Sequence, residues 1–222
     1  MTTISQLFDV KYALHILPEL ARAATYTIGI TLVGFAIALV LGLVLAILRR
    51  SDMAPVARTT AFFIEFIRST PLLIQVYVLF YVAPLYGLTM SALTAGTIGI
   101  AVHYACYVSE VYRAGLNGVA RGQWEASCAL SLSPWRTYSG VILPQAIRPV
   151  IPALGNYLVA MFKDTPVLSA ITVVELMQQA KNIGSETFRY LEPITMTGIF
   201  FLIISVTFAS GVRHLERRVR LP

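Results

Sequence analysis

Glu65, Arg68 and Gln75 stand in an otherwise apolar stretch from Thr59 to Tyr81, and Lys163 and Asp164 interrupt another from Pro149 to Val174. Glu65 and Arg68 are three apart and Gln75 is seven beyond Arg68, so a single helix through the stretch sets all three near one face. Ionisable groups at membrane depth cost several kcal/mol unless paired or wetted, which makes them functional candidates by default. Both signs are present, as a passage for a zwitterion requires, with Arg68 and Lys163 toward a carboxylate and Glu65 and Asp164 toward a cationic end. The structural alternative is that Glu65 pairs with Arg68, and Lys163 with a neighbour, only to hold helices together. Pro71 frees a backbone carbonyl in the first stretch, and Thr165-Pro166 does the same in the second. Non-helical backbone at this depth is tolerated where it lines a cavity. Pro71 and Pro166 are therefore the expected gate, with a simple kink as the alternative.

Motifs of enzymatic chemistry are missing from the sequence. There is no Gly-x-x-x-x-Gly-Lys-Ser/Thr phosphate loop and no Gly-x-Ser-x-Gly elbow. His15, His103 and His214 fall in three separate regions; His103 and Cys106 share a helical face, but two ligands do not make a metal site. No metal, no cofactor and no catalytic residue is expected in this chain.

The elements that carry these residues follow from composition. Of 222 residues, 57% are apolar and 13% charged, against about 45–50% and about 25% in a soluble domain. A water-exposed enzyme would need more polar surface, so the bilayer is the expected solvent. Nucleic-acid binding would need a basic face on a soluble fold, whereas the net charge of +6 is accounted for by cytoplasmic loops that collect Lys and Arg. Cys106 and Cys128 set up no disulfide framework and read as small packing residues.

A helical span needs about 20 residues. The charge-free or nearly charge-free runs are Ala23–Leu48, Thr59–Tyr81, Ala92–Arg113, Pro149–Val174 and Pro193–Val212. The expected fold is an all-α integral membrane protein of five transmembrane helices in one domain, 1–222. It has an interfacial lead-in at 1–22, a cytoplasmic loop with helices of its own at 114–148, and a basic cytoplasmic tail at 213–222. With the N-terminus outside, the cytoplasmic set is Arg49, Arg50, Arg58, Arg113, Arg121, Arg136, Arg148, Arg213, Arg217, Arg218 and Arg220, against Lys11, Arg22, Lys181 and Arg189. That bias sets the N-terminus outside and the C-terminus in the cytoplasm. A secondary transporter or channel acting alone is the competing class, but no inverted repeat is visible and an odd span count does not halve. An intramembrane enzyme lacks a nucleophile–base pair.

The cytoplasmic loop contains Gly122-Gln123-Trp124-Glu125-Ala126-Ser127, Leu130-Ser131-Leu132 and Ile142-Leu143-Pro144. This resembles the coupling-loop signature of ATP-binding-cassette importer permeases: Glu-Ala-Ala, three residues, Gly, nine residues, and a close of an apolar residue, any residue and Leu-Pro. Ser127 stands for Ala and Ser131 for Gly. Serine is less free than glycine to take a positive φ, so a more helical turn is expected at Ser131. Arg68-Ser69-Thr70-Pro71-Leu72-Leu73-Ile74-Gln75, Tyr107 to Gly115, and Lys163-Asp164-Thr165 resemble the polar amino acid uptake branch; Gly184 to Pro193 looks most like permeases for ectoine and hydroxyectoine.

The resemblance implies a permease subunit in the bacterial inner membrane forming half of a translocation path, with Thr165 joining the residues along it. It implies two separate ATPase subunits holding Mg-ATP, a second permease subunit, identical or homologous, and an extracytoplasmic solute-binding protein. The short cytoplasmic helix would dock on an ATPase through Trp124, Leu130, Leu132 and Trp135, apolar anchors of the kind that dominate interface energy, with Glu125 capping or pairing near the helix start.

Overall fold

The computed structural model describes residues 8–219 and is helical, with no strand among the described residues. Three helices are each long and apolar enough to cross a membrane: α1 (Val10–Arg49), α4 (Ala92–Asn117) and α9 (Leu191–Val219). Two more spans are bent. The first joins α2 (Ala54–Arg68) to α3 (Leu72–Tyr77) and its continuation to Tyr86 at 104°. In the second, a rod of α6 (Pro134–Arg136), α7 (Leu143–Asp164) and a 3-10 segment ending at Ile171 meets α8 (Leu176–Thr187) at 46°. Each bent pair taken as one span gives five. The short helix α5 (Arg121–Ala129) lies between the third and fourth.

The first helix corrects one boundary. Asp9 caps it by accepting from the backbone N–H groups of Lys11 and Tyr12 at 2.9 and 3.1 Å, and the helix then runs 40 residues. At about 1.5 Å per residue that is about 60 Å, twice the hydrocarbon thickness of about 30 Å. The expected lead-in at 1–22 is therefore, from Val10 onward, the beginning of α1. It holds its helix because Ile16, Leu20 and Ala23 pack on Leu176, Ala180 and Ile183 of α8. Residues 1–7 and 220–222, with Arg220, lie outside the described residues.

A larger correction concerns the second span, which is not one helix. Proline cannot donate to the helical ladder and pushes the preceding residue out of the α region. Accordingly α2 closes at Arg68, and α3 restarts on Pro71, whose carbonyl accepts from Ile74 and Gln75 at 3.0 and 3.2 Å. Glu65 and Arg68 thus lie on one side of a near-right-angle break and Gln75 on the other.

Two π-helical turns, Val78–Val82 and Thr137–Ile142, precede Pro84 and Pro144. A proline ring crowds the carbonyl four residues back; those carbonyls, of Phe80 and Gly140, fall inside the widened turns. The helix of the third span reaches Asn117 and that of the fourth begins at Pro134, so most of 114–148 is helical; residues 213–219 continue α9.

The main core gathers around α4, where Ile100, Tyr104 and Cys106 meet Ala38 of α1, Ile64 of α2, Val76 of α3 and Met161 of α7. Gly42 sets the closest approach of α1 to α4: a Cβ there would meet Val108 Cγ1 at 2.7 Å and the Ala105 carbonyl oxygen at 2.9 Å.

Candidate functional site

The break between α2 and α3 is held chiefly by the Gln75 side chain, with Thr70 Oγ1 on the carbonyls of Phe66 and Ile67 at 3.0 and 3.2 Å. The Gln75 amide nitrogen donates to the carbonyls of Ile67 (2.7 Å) and Thr70 (3.1 Å) and to Thr70 Oγ1 (2.8 Å). Both carbonyls are acceptors only, so the amide is oriented with Oε1 toward His103 Nδ1, 3.1 Å away. Backbone groups freed by a broken helix need such partners at membrane depth. Gln75 thus spends its polar atoms on the protein itself and pins the break.

Beside this pin, rings from two helices come together. On α4, the His103 centroid is 5.6 Å from Tyr104 and 5.2 Å from Tyr107. Tyr157 of α7 lies 6.2 Å from Tyr104 and 5.6 Å from Tyr107. Opposite charges flank the cluster. The Arg68 guanidinium stands over the Tyr107 ring at 5.2 Å, and Asp164 accepts a 2.6 Å hydrogen bond from the Tyr104 hydroxyl. Arg68 Nε is buried and makes no hydrogen bond among the described residues.

The remaining expected path residues are placed differently. Glu65 is 69% exposed and reaches Arg68 only at 3.7 Å, a contact worth little in water. Lys163 is exposed, next to an Asp164 turned inward. Thr165 is fully buried, and its hydroxyl donates back to the Phe162 carbonyl at 2.7 Å, so it belongs to the helix end. Pro166 opens the 3-10 segment that leads to the second break, where Thr172 takes a φ of 62°, a strained value for a β-branched residue. The three tyrosines and His103 were not singled out as a group by spacing. Their signal was His103, Tyr104 and Tyr107 within one turn of α4; Tyr157 joins them only through the packing of α7 on α4.

Around α5 the structure sorts the expected anchors. Trp124 is half-buried against Leu116, Val119, Ile142 and Ala146, meets Tyr138 edge-on at 5.4 Å, and carries the Arg50 guanidinium 5.9 Å from its ring centroid. It is an inward anchor because the apolar face of α5 is covered by the ends of α4 and α7. Leu132 is half-buried as well, whereas Leu130 and Trp135 are 72% and 79% exposed. Glu125 pairs with Arg121 at 2.8 Å on the open face. Gly122 and Ala126 are exposed on the same helix, and Ser127 is buried with its hydroxyl on the Gln123 carbonyl at 2.8 Å. Gln145, next to Pro144 at the start of α7, donates to Gln123 Oε1 at 3.1 Å.

Ser131 corrects another expectation. Its φ is 51°, the left-handed region. The Ser131 N–H bonds the Cys128 carbonyl at 2.9 Å and the Leu132 N–H bonds the Ser127 carbonyl at 3.1 Å. This pair of bonds is the Schellman closure of a helix. The serine adopts the conformation a glycine would, because the two bonds satisfy carbonyls that would otherwise be left open.

A helix broken at a proline beside a polar cluster, in a bundle with up to five spans, defines a multi-pass membrane protein. The chain belongs to the family of binding-protein-dependent transport system inner membrane components, which matches residues 38–221. It is 46% identical over 214 residues to a probable amino-acid ABC transporter permease protein, y4tG, of Sinorhizobium fredii, covering 96% of this chain and 92% of that one. It is 34% identical to the L-cystine transport system permease protein TcyB of Bacillus subtilis, over 91% of this chain and 87% of the relative. With the glutamine transport system permease protein GlnP of Escherichia coli the identity is 33%, over 96% and 99%. Among solved structures, an amino acid ABC transporter crystallised with histidines superposes with a TM-score of 0.90 at 32% identity, covering 98% of this chain and all of that one. A methionine ABC transporter, MetNI, shares the fold with a TM-score of 0.75 at 21% identity, over 93% and 98% of the two chains.

Proposed function

We propose that this permease carries a polar amino acid, or a related zwitterion such as ectoine, across the bacterial inner membrane as half of an importer path. Two separate ATPase subunits hydrolysing Mg-ATP drive it, a second permease subunit, identical or homologous, completes the path, and a solute-binding protein delivers the solute outside, on the stretch from Glu175 to Glu192.

The observation that carries this reading is the placement of a half-buried Arg68, whose buried Nε makes no hydrogen bond among the described residues, and of Asp164 on either side of a group of aromatic rings. A solute carboxylate takes the arginine fork. Its cationic end takes Asp164 and the faces of the tyrosines, which attract cations. Glu65 and Lys163, open in the single chain, extend the path toward the second subunit. Pro71, at the first break, and Pro166, in the 3-10 segment that leads to the second, belong to the gate at which it opens and closes. On the cytoplasmic side α5 is the coupling helix, and the protruding Leu130 and Trp135 dock on the ATPase.

The test is uptake into vesicles by the complex of permease, ATPase and binding protein. Arg68→Ala and Asp164→Asn are each expected to cut uptake while leaving the ATPase bound. Leu130→Asp with Trp135→Ser is expected to release the ATPase. Unchanged uptake in the first pair would remove the substrate role, and retained ATPase in the second variant would remove the docking role.

A further inference from the structure

Along the chain, α5 is joined to α4 only through three non-helical residues, Gly118, Val119 and Ala120. No such link reaches α1, whose last residue is Arg49. Contact between α1 and α5 is made through space, by Arg50. Its guanidinium donates to Asn117 Oδ1 at the end of α4 at 2.7 Å and lies 5.9 Å from the Trp124 ring centroid of α5. One planar fork therefore touches both partners, an arrangement a lysine does not reproduce.

The residue before it fastens α1 to α4 independently. Arg49 pairs with Glu110 Oε1, and the other oxygen of that carboxylate takes Arg113, at 3.0 Å from Nε and 2.6 Å from the terminal nitrogen. Two turns further in, Gly42 lets α1 lie against the α4 backbone. The end of α1 is thus rigid on α4, and Arg50 is the one of the two arginines whose side chain also meets α5.

We infer that Arg50 is a positioning residue that ties the coupling helix to the α1–α4 pair, so that the three move as one body. This inference rests on the reading of α5 as the ATPase-docking helix. Trp124 then serves transmission inside the permease, while Leu130 and Trp135 receive the force from outside. Loss of the Arg50 contact leaves α5 able to dock and the ATPase able to cycle, but α5 then turns on its three-residue link and the α1–α4 pair follows it less closely.

The experiment uses the complex with its ATPase and binding protein. A nitroxide pair is placed at Asp52→Cys, beyond α1, and at the native Cys128 of α5, which is exposed; Cys106 is buried and is left in place. The distance between labels is read without nucleotide and in the ATP-trapped state, and uptake per ATP hydrolysed is measured in parallel. In the parent chain the pair is expected to keep its distance. In Arg50→Ala it is expected to shift or broaden on trapping, with uptake per ATP falling at least about fivefold; Arg50→Lys is expected to fall as well. A parent-chain shift of more than about 5 Å, one helical turn, overturns the inference. So does an Arg50→Ala variant with parental distance and uptake per ATP. Failure of the ATPase to bind the parent chain is a different result, which overturns the coupling reading itself.

Discussion

Gln75 and His103 form one hydrogen bond whose direction is set by the backbone. Because the Gln75 amide nitrogen serves the carbonyls of Ile67 and Thr70, its Oε1 faces His103 Nδ1 at 3.1 Å, and Nδ1 carries the hydrogen. The break at Pro71 is thereby tied to α4 and to the ring cluster.

Gln75→Glu keeps the size of the side chain but has no N–H to donate, and it brings carboxylate oxygens against two carbonyls. A buried acceptor left without its donor costs about 1–3 kcal/mol. The variant is expected to lose several degrees of thermal stability in detergent and most of its uptake. His103→Asn, which sets an N–H close to the place of Nδ1, is expected to retain more uptake than His103→Asp, which opposes Oε1 with another acceptor. Equal uptake in the two His103 variants would contradict the assigned direction.

Ser131→Gly is expected to stabilise the end of α5. A non-glycine residue in the left-handed region costs about 1–2 kcal/mol, and the space and hydrogen bonds already suit that conformation. Ser131→Val is expected to act in the opposite direction. Hydrogen exchange of the α5 amides in the assembled complex, slower in the first variant and faster in the second, is the measurement.

Gly42→Ala inserts a methyl group 2.9 Å from the Ala105 carbonyl oxygen, a backbone atom that cannot rotate away. Overpacking of this kind costs about 1–3 kcal/mol. A lower midpoint of thermal inactivation is expected, while Gly29→Ala, where a Cβ meets nothing within 4 Å, is expected to be neutral.

At the start of α1 the Asp9 carboxyl lies below its usual range, chiefly through the Tyr12 N–H, with the Lys11 N–H and Arg189 adding to it against desolvation. Its contribution is present above the ordinary carboxylate pKa and is lost as pH falls through the depressed value. Fraying of the first turn of α1 is therefore expected only in acid, and Asp9→Ala is expected to bring the same fraying at neutral pH, both read as amide protection.

Much of this was legible in the sequence because it depends on local chemistry. Apolar run length gave five spans, and Pro71 marked where the second span breaks, whereas Pro166 lies within a rod that bends only after Ile171. What escaped depends on how helices meet. Gln75 looked like a path residue because its spacing assumed a straight helix; once Pro71 turns the chain by 104°, its amide is needed by the backbone. Trp124 looked like an outward anchor because its helix was read alone, without the ends of α4 and α7 beside it. Tyr157 joins Tyr104 and Tyr107 across two helices whose register no local pattern states. At Ser131 the φ preference of serine is overridden by two hydrogen bonds that no local pattern states.

Under the proposed function, solute crosses through this chain only when partner ATPases hydrolyse ATP. The most direct test of this is uptake of radiolabelled glutamine, cystine and ectoine into vesicles holding the permease with its ATPase and binding protein. Accumulation of one class of zwitterion is expected, requiring ATP and the ATPase and lost in Arg68→Ala. Uptake by the permease alone, without ATP, would contradict it.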